Sequence, residues 1–330
     1  MAGRTEALTA RSDPRVDRCR PAESEIAKAC AGRSHPRGHG LQGVLAGAYD
    51  VAIACGVESM SRVPLGSARP ASRGRRFDAR YSAGLVNQGV AAELVAQRWK
   101  LDRDVLDAYS AESHRRAAAA ISSGAFDPEI VPVPLTDGQM HTTDETVRAS
   151  TTPDSLADLR PSFHTDEMAA RFPDLGWVIT PGNSSPLTDG ASAVLIMSEE
   201  RANRLGLRPR ARFHAFAVVG DDALLMLTGP IPATRKVLAN AGLGIDDIDI
   251  YEVNEAFAPV PLAWAHELGA DPAKLNPWGG AISLGHALGS SGTRLLTTML
   301  NHLEATGGRY GLQTMCEAGG MANATVIERL

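Results

Sequence analysis

The strongest hydrophobic periodicity in the chain lies at 294–303, where Leu296, Met299, Leu300 and Leu303 fall on one face at helical spacing. This predicts a helix from Thr293 onward. The stretch before it carries glycine at 279, 280, 285, 289 and 292 around a single histidine, His286. Glycine allows sharp turns and close approach of the backbone to a neighbour, so His286 is expected in a turn leading to a helix N-terminus. Other patterns place a helix at 41–48 and a short apolar strand at 49–56 closed by Gly56. Two helices follow at 88–99 and 103–122, the second with Asp102 as N-cap. Strand-like runs appear at 193–197 and 249–253, and again at the end of the chain after Gly319-Gly320.

These elements echo one another. Asp249-Ile250-Tyr251-Glu252-Val253 before Asn254 repeats the pattern of Asp50-Val51-Ala52-Ile53-Ala54 before Cys55, and both late strands follow glycine-containing loops. The expectation is two similar α/β halves, the second beginning near Pro209. Residues 1–38 are polar and Arg-rich, with no strand pattern before Cys30, and residues 66–85 read as an exposed insertion containing Arg73-Gly74-Arg75-Arg76.

Composition narrows the class. With 330 residues, 44% hydrophobic and 22% charged, the chain is long enough for one large core or two domains. A net charge of −5 gives no support for nucleic-acid or membrane-surface binding. No run approaches the roughly 20 apolar residues of a membrane span, and the N-terminus has no apolar signal region. The last residues, Glu328-Arg329-Leu330, are not a peroxisomal address, so the cytoplasm is the expected location. Cys19, Cys30, Cys55 and Cys316 are widely spaced with no CxxC pair, which points to no metal site or disulfide framework.

Candidate chemistry falls in four places: the neighbourhood of Cys30, Asn254-Glu255-Ala256-Phe257-Ala258, the His286 loop, and Met315-Cys316-Glu317-Ala318-Gly319-Gly320. The last three, in this order, resemble signatures of the thiolase family, the acyl-CoA C-acyltransferases. The resemblance extends to GVESMSRVP at 56–64, GNSS-x-x-TDGASA at 182–193 and TGPIPAT-x-KVL at 228–238, and covers roughly residues 39–330. It implies an α/β fold of duplicated halves in a layered αβαβα arrangement, the first half incomplete, with a mostly helical loop domain. On that pattern 39–65 and 161–204 form the first half, 66–160 the loop domain and 205–330 the second half, after an atypical segment at 1–38.

The resemblance also implies roles. A first cysteine attacks a thioester and carries the acyl group, and Cys316 moves a proton to or from the α-carbon of the other substrate. His286 activates the nucleophile and donates to the thioester oxygen, and Asn254 holds a water beside it. A thiol suits proton transfer because its ordinary pKa, near 8.5, lies far closer to neutrality than a hydroxyl's. Coenzyme A is the implied co-substrate, with no tightly bound cofactor. Ser185, Met226 and Phe257 match positions along the pantetheine arm, and Arg148 matches a basic residue near the nucleotide phosphate. A homodimer or homotetramer is implied. Read without the resemblance, Met226 and Phe257 are core residues, Ser185 a turn residue and Arg148 a surface charge.

The sequence departs from the family where the nucleophile should stand. Counting back 26 residues from Gly56 without gaps places Cys30 there; matching Gly38-His39-Gly40-Leu41-Gln42 to the end of the family's cysteine loop places Arg37 there instead. The gap-free register keeps a thiol and is the one adopted, although Pro36 and the glycines disfavour a continuous helix directly after Cys30. The family's N-terminal arm has no counterpart, which predicts an exposed sheet edge and an uncovered apolar face. Ala287 replaces a proline, and Ala318 replaces a glycine, where a positive φ would strain alanine. The leading expectation is thiolytic cleavage of a 3-ketoacyl-CoA by CoA, or the reverse condensation. The alternatives are a catalytically silent CoA-ester binder or oligomer partner, and a Cys-His hydrolase to which the Asn254 and Cys316 motifs give no purpose.

Overall fold

The computed structural model describes residues 36–67 and 74–330. The first half supplies α1 (Pro36–Leu45) and β1 (Val51–Ser59), then α2 (Arg75–Arg80), α3 (Gln88–Arg98) and α4 (Arg103–Ser122). Next come β2 (Val133–Pro134), β3 (Met140–His141), α5 (Pro153–Ala157), α6 (Asp166–Arg171), β4 (Asp189–Met197) and α7 (Glu199–Arg204). The second half runs through β5 (Ala211–Gly220), α8 (Pro230–Ala241), β6 (Ile250–Val253), α9 (Pro259–Leu268), α10 (Ala281–Leu284), α11 (Leu288–Thr306), β7 (Tyr310–Glu317) and β8 (Met321–Arg329).

Four strands of the second half form one sheet in the order β5-β8-β7-β6, with β6 and β7 parallel and the other pairs antiparallel. Its two faces can be read from the period-two alternation of side chains. Tyr251, Val253, Leu312 and Val326 pack with Val237 and Leu238 of α8 and Trp264 of α9. Ile250 and Ile327 face the other way, onto Leu296, Met299 and Leu303 of α11. Those three α11 residues belong to the stripe expected from sequence, and Leu300 packs beside them half-buried. The opposite side of α11 meets the first half, so this helix lies between the two main sheets.

The first half's sheet is the antiparallel pair β1-β4, in register from Val51 opposite Met197 to Ser59 opposite Asp189. Ala54 and Ile196 turn inward and pack with Leu41 of α1, and Ser192 of the same face donates to the Ser290 carbonyl on α11. The opposite face is open, as the sequence predicts: Ile53 is 61% and Val57 71% exposed, with Val51 beside them. Among the described residues no helix covers it. Among the described residues the layered fold therefore has its outer helices on the second half and none over this face of β1-β4.

Helices α3 and α4 match the predicted spans within one residue, and Asp102 caps α4 by accepting from Val105 N–H at 3.0 Å. Two boundaries differ. Helix α1 ends before Gly47, whose φ of 71° stops it earlier than expected. Helix α11 starts at Leu288, not Thr293, and so includes Gly289 and Gly292. Gly289 serves close packing here: a Cβ there would meet the Val57 carbonyl 2.5 Å away, and Gly56 of β1 presses on Gly289 in return. Glu58, also on β1, accepts from Gly289 N–H at 3.1 Å and caps the helix from another element.

Candidate active site

The parallel strands β6 and β7 end on the same side of the sheet, and both carry candidate chemistry at those ends. Asn254 follows β6, fully buried, with its N–H donating to the Thr314 carbonyl of β7 at 3.1 Å. Cys316 lies two residues farther along β7, paired with Ala322 of β8. The turn between β7 and β8 bends at Gly319 and Gly320, with φ of 84° and 85°; Ala318 has no positive φ, so the strain expected there does not arise.

Glu255 fixes the loop after β6. Its buried carboxylate accepts from the Tyr109 hydroxyl at 2.8 Å, Ser113 Oγ at 2.7 Å, Asn276 Nδ2 at 2.9 Å and the Ile282 N–H at 3.1 Å. These donors come from α4, from the chain before the glycine loop, and from α10. A buried charge needs such a full set of donors, and here the set ties the Asn254 loop to the His286 loop. Asn276 adds two bonds to Val253, accepting from its N–H and donating to its carbonyl, each at 2.9 Å.

After α10 the chain turns at Gly285, whose φ of 83° and contact with the Thr188 side chain exclude a Cβ. His286 N–H donates to Thr188 Oγ1 at 3.2 Å. The imidazole is 8% exposed, with Nε2 3.2 Å from Asn254 Nδ2 and Nδ1 2.6 Å from Ser291 Oγ on the first turn of α11. Burial, then the nearby Arg294 guanidinium, pulls its pKa down to about 4, so the ring is neutral at pH 7 and one nitrogen keeps a lone pair for a proton. Behind the ring, Arg294 stands 3.9 Å from Glu252, and both are buried. Asn254 Oδ1 is buried with no protein partner, an acceptor that fits the water-holding role implied by the sequence.

Burial pushes the Cys316 thiol up to about 12, and the Glu317 charge adds to this. At neutral pH it keeps its proton. Cys316 packs into the apolar cluster that holds Met226 and Phe257, and Phe163 meets Phe257 edge-on with ring centroids 5.9 Å apart. Ser185 reaches the same place through its backbone, which donates to the Ala256 carbonyl at 3.0 Å. Arg148 stands apart and exposed, its N–H donating to Nδ1 of the buried His114 at 3.1 Å. Cys30 lies outside the described residues. Among the described residues no cluster of His, Cys, Asp or Glu could hold a metal, and no helix is long and apolar enough to cross a membrane.

The structure thus brings Asn254 and His286 into contact, sets Cys316 on the neighbouring strand end, and groups Cys316 with Met226 and Phe257. Sequence reasoning missed Ser291, Glu255 and the Arg294–Glu252 pair. Glu255 carried one visible signal, an acidic residue inside an otherwise apolar run.

A mixed α/β fold of two related halves, with a buried His–Asn pair and a thiol at the ends of parallel strands, defines a class of acyl-transfer enzyme. The thiolase N-terminal domain family matches residues 20–200 and the thiolase C-terminal domain family matches residues 207–329. The steroid 3-ketoacyl-CoA thiolase FadA6 of Mycobacterium tuberculosis is 44% identical over 315 residues, spanning 92% of this chain and 74% of that protein. The 3-ketoacyl-CoA thiolase of Vibrio parahaemolyticus is 42% identical over 88% of this chain and 73% of its own length. Among solved structures, the dimeric peroxisomal thiolase of Saccharomyces cerevisiae superposes with a TM-score of 0.78 at 35% identity, over 88% of this chain and 71% of that one. Human mitochondrial 3-ketoacyl-CoA thiolase in complex with CoA gives 0.78 at 34% identity, over 91% and 76%. The chain belongs to the thiolase family of acyl-CoA acyltransferases.

Proposed function

We propose that the chain transfers an acyl group between a 3-ketoacyl-CoA and CoA, in either direction, through an acyl-cysteine at Cys30. The observation that carries this reading is the buried contact between Asn254 and neutral His286, with Cys316 on the adjoining strand end. His286 takes the proton of the nucleophilic thiol as that sulfur attacks the ketone carbon of the substrate. Cleavage of the Cα–Cβ bond releases the acetyl-CoA carbanion, which Cys316 protonates. His286, now protonated, and the water held by Asn254 stabilise the oxygen on which negative charge develops. Free CoA then attacks the acyl-cysteine and restores the thiol. CoA is the co-substrate, with its pantetheine arm along Ser185, Met226 and Phe257 and Arg148 near its phosphates, and the working form is a homodimer or homotetramer in the cytoplasm.

A second reading has one observation in its favour. Gly40-Leu41-Gln42 lies within α1 (Pro36–Leu45), and the motif match puts Arg37, in the same helix, at the position where the family carries its nucleophile. On that register the chain binds CoA esters without transferring acyl groups. Assay of the purified chain with acetoacetyl-CoA and CoA separates the two. Turnover abolished by Cys30→Ala supports the transferase; absence of turnover with CoA binding retained supports the silent binder.

A further inference from the structure

Four residues other than glycine, among those described, have φ in the left-handed region: Lys100, Trp177, Met226 and Asn276. Asparagine tolerates that region, and Lys100 and Trp177 keep contact with solvent. Met226, at φ 54°, is the one apolar side chain that is buried there, 5% exposed. A left-handed residue that ends a helical turn is usually glycine, which has no Cβ to strain. Methionine at this position carries a strain that glycine would not, which points to a use for the side chain itself.

The turn around it is held at two places. Asp222 opens a single helical turn: its Oδ1 accepts from the Leu224 and Leu225 N–H groups at 2.7 and 3.0 Å, and its carbonyl accepts from Met226 N–H at 2.8 Å. Asp221 ties the same turn to the rest of the site. Its N–H donates to the Gly320 carbonyl at 2.7 Å, and its Oδ2 accepts from Thr228 Oγ1 at 2.7 Å. Packing there is close, since a Cβ on Gly320 would meet the Asp221 and Asp222 carbonyl oxygens 2.8 Å away. The turn carrying Met226 is thereby locked to the β7–β8 turn that follows Cys316, and Met226 packs in the apolar cluster that Cys316 adjoins.

We propose that Asp222 is a positioning residue that holds Met226 in the left-handed conformation, as a fixed wall beside Cys316 that orients a bound CoA ester. The wall's role rests on the acyl-transfer reading; the conformational part does not. Without the Asp222 carboxylate two N–H groups lose their acceptor, the turn loses its cap, and Met226 relaxes toward the right-handed region. Asparagine keeps an acceptor oxygen at the same place and holds the turn.

The test uses the full chain with 13C-methyl methionine, in which the Met226 signal is the one lost in Met226→Leu. Asp222→Ala is expected to shift that signal and Asp222→Asn to leave it in place. Calorimetric binding of CoA is measured alongside. Asp222→Ala is expected to weaken CoA about 10-fold, the size of a lost helix cap, and Asp222→Asn to restore it. In a Met226→Ala background Asp222→Ala is expected to add no more than about 2-fold, because its effect passes through Met226. An equal loss of affinity in both backgrounds overturns the proposal, as does a Met226 signal unmoved by Asp222→Ala. A parent chain that binds no CoA defeats the acyl-transfer reading and with it the wall's role, and the methyl signals alone then decide whether Asp222 holds Met226.

Discussion

The two halves of this molecule treat related elements differently. In the second half the sheet is covered on both faces, by α8 and α9 on one side and α11 on the other, and side chains such as Tyr251, Leu312, Val326 and Met299 have almost no contact with solvent. In the first half β1 carries Val51, Ile53 and Val57 on an open face. The chemistry follows the same division. Asn254, His286 and Cys316 all belong to the second half; Asn254 and His286 are buried against each other, and Glu255 in the loop after β6 accepts four hydrogen bonds. Among the described residues the first half supports the site from outside: Thr188 accepts from His286 N–H, and Glu58 caps α11. The difference teaches that, among the described residues, the side chains proposed to handle protons lie within one half, while the proposed acyl carrier, Cys30, lies outside them.

Substitutions can break or sharpen this contrast. The largest effect is expected at His286: His286→Asn lowers thiolysis of acetoacetyl-CoA about 100- to 10,000-fold, with far-UV circular dichroism unchanged. Asn254→Ala, which removes a fixed donor beside the developing oxyanion, costs about 100- to 1,000-fold in kcat. In the core of the second half, Met299→Ala destabilises by about 2–5 kcal/mol in urea unfolding, because it opens a cavity between α11 and the sheet. If Met299→Ala is harmless, α11 is not the packed centre described above.

The pH dependence of stability gives a smaller signal with a definite sign. Burial first, and a nearby arginine second, pull both His286 and His114 down to about 4. Their contribution is complete above the unfolded histidine value of about 6.5 and is lost as pH falls toward 4. Burial pushes Glu129 up to about 7 and Glu252 up to about 8; their contribution is present below the ordinary carboxylate range and is lost as pH rises through those values. His286→Asn isolates one histidine: the stability lost between pH 7 and pH 5 should shrink by about 2 kcal/mol relative to the parent, and an unchanged loss contradicts its neutral burial. The smallest effect is expected on the open face, where Ile53→Ser changes stability by no more than about 0.5 kcal/mol. A loss comparable to that of Met299→Ala would show that this face is covered in solution.

Much of this was legible in the sequence because it rests on local pattern. Helices α3 and α4 announce themselves by periodicity and by the Asp102 cap, and the glycines at 279 and 285 mark the turns on either side of α10. Side-chain links across elements were not legible. Nothing local marks Ser291 as the partner of an imidazole five residues earlier, since that contact depends on the start of α11 at Leu288. That start depends in turn on Gly289 packing against Val57, more than two hundred residues earlier. The Arg294–Glu252 pair likewise needs α11 to lie across β6. The nucleophile was ambiguous for another reason: a gap-free count and a motif match give Cys30 and Arg37, and only a change in chain length between the segment and β1 separates them.

The central claim is that this chain carries an acyl group on Cys30 while His286 and Cys316 handle protons. The direct measurement is mass spectrometry of the full chain after mixing with acetoacetyl-CoA in the absence of CoA. The account predicts one acetyl group on the chain, located on the peptide containing Cys30, lost when CoA is added and absent from Cys30→Ala. An unmodified chain that still binds acetoacetyl-CoA, or an acetyl group that persists in Cys30→Ala, would contradict it.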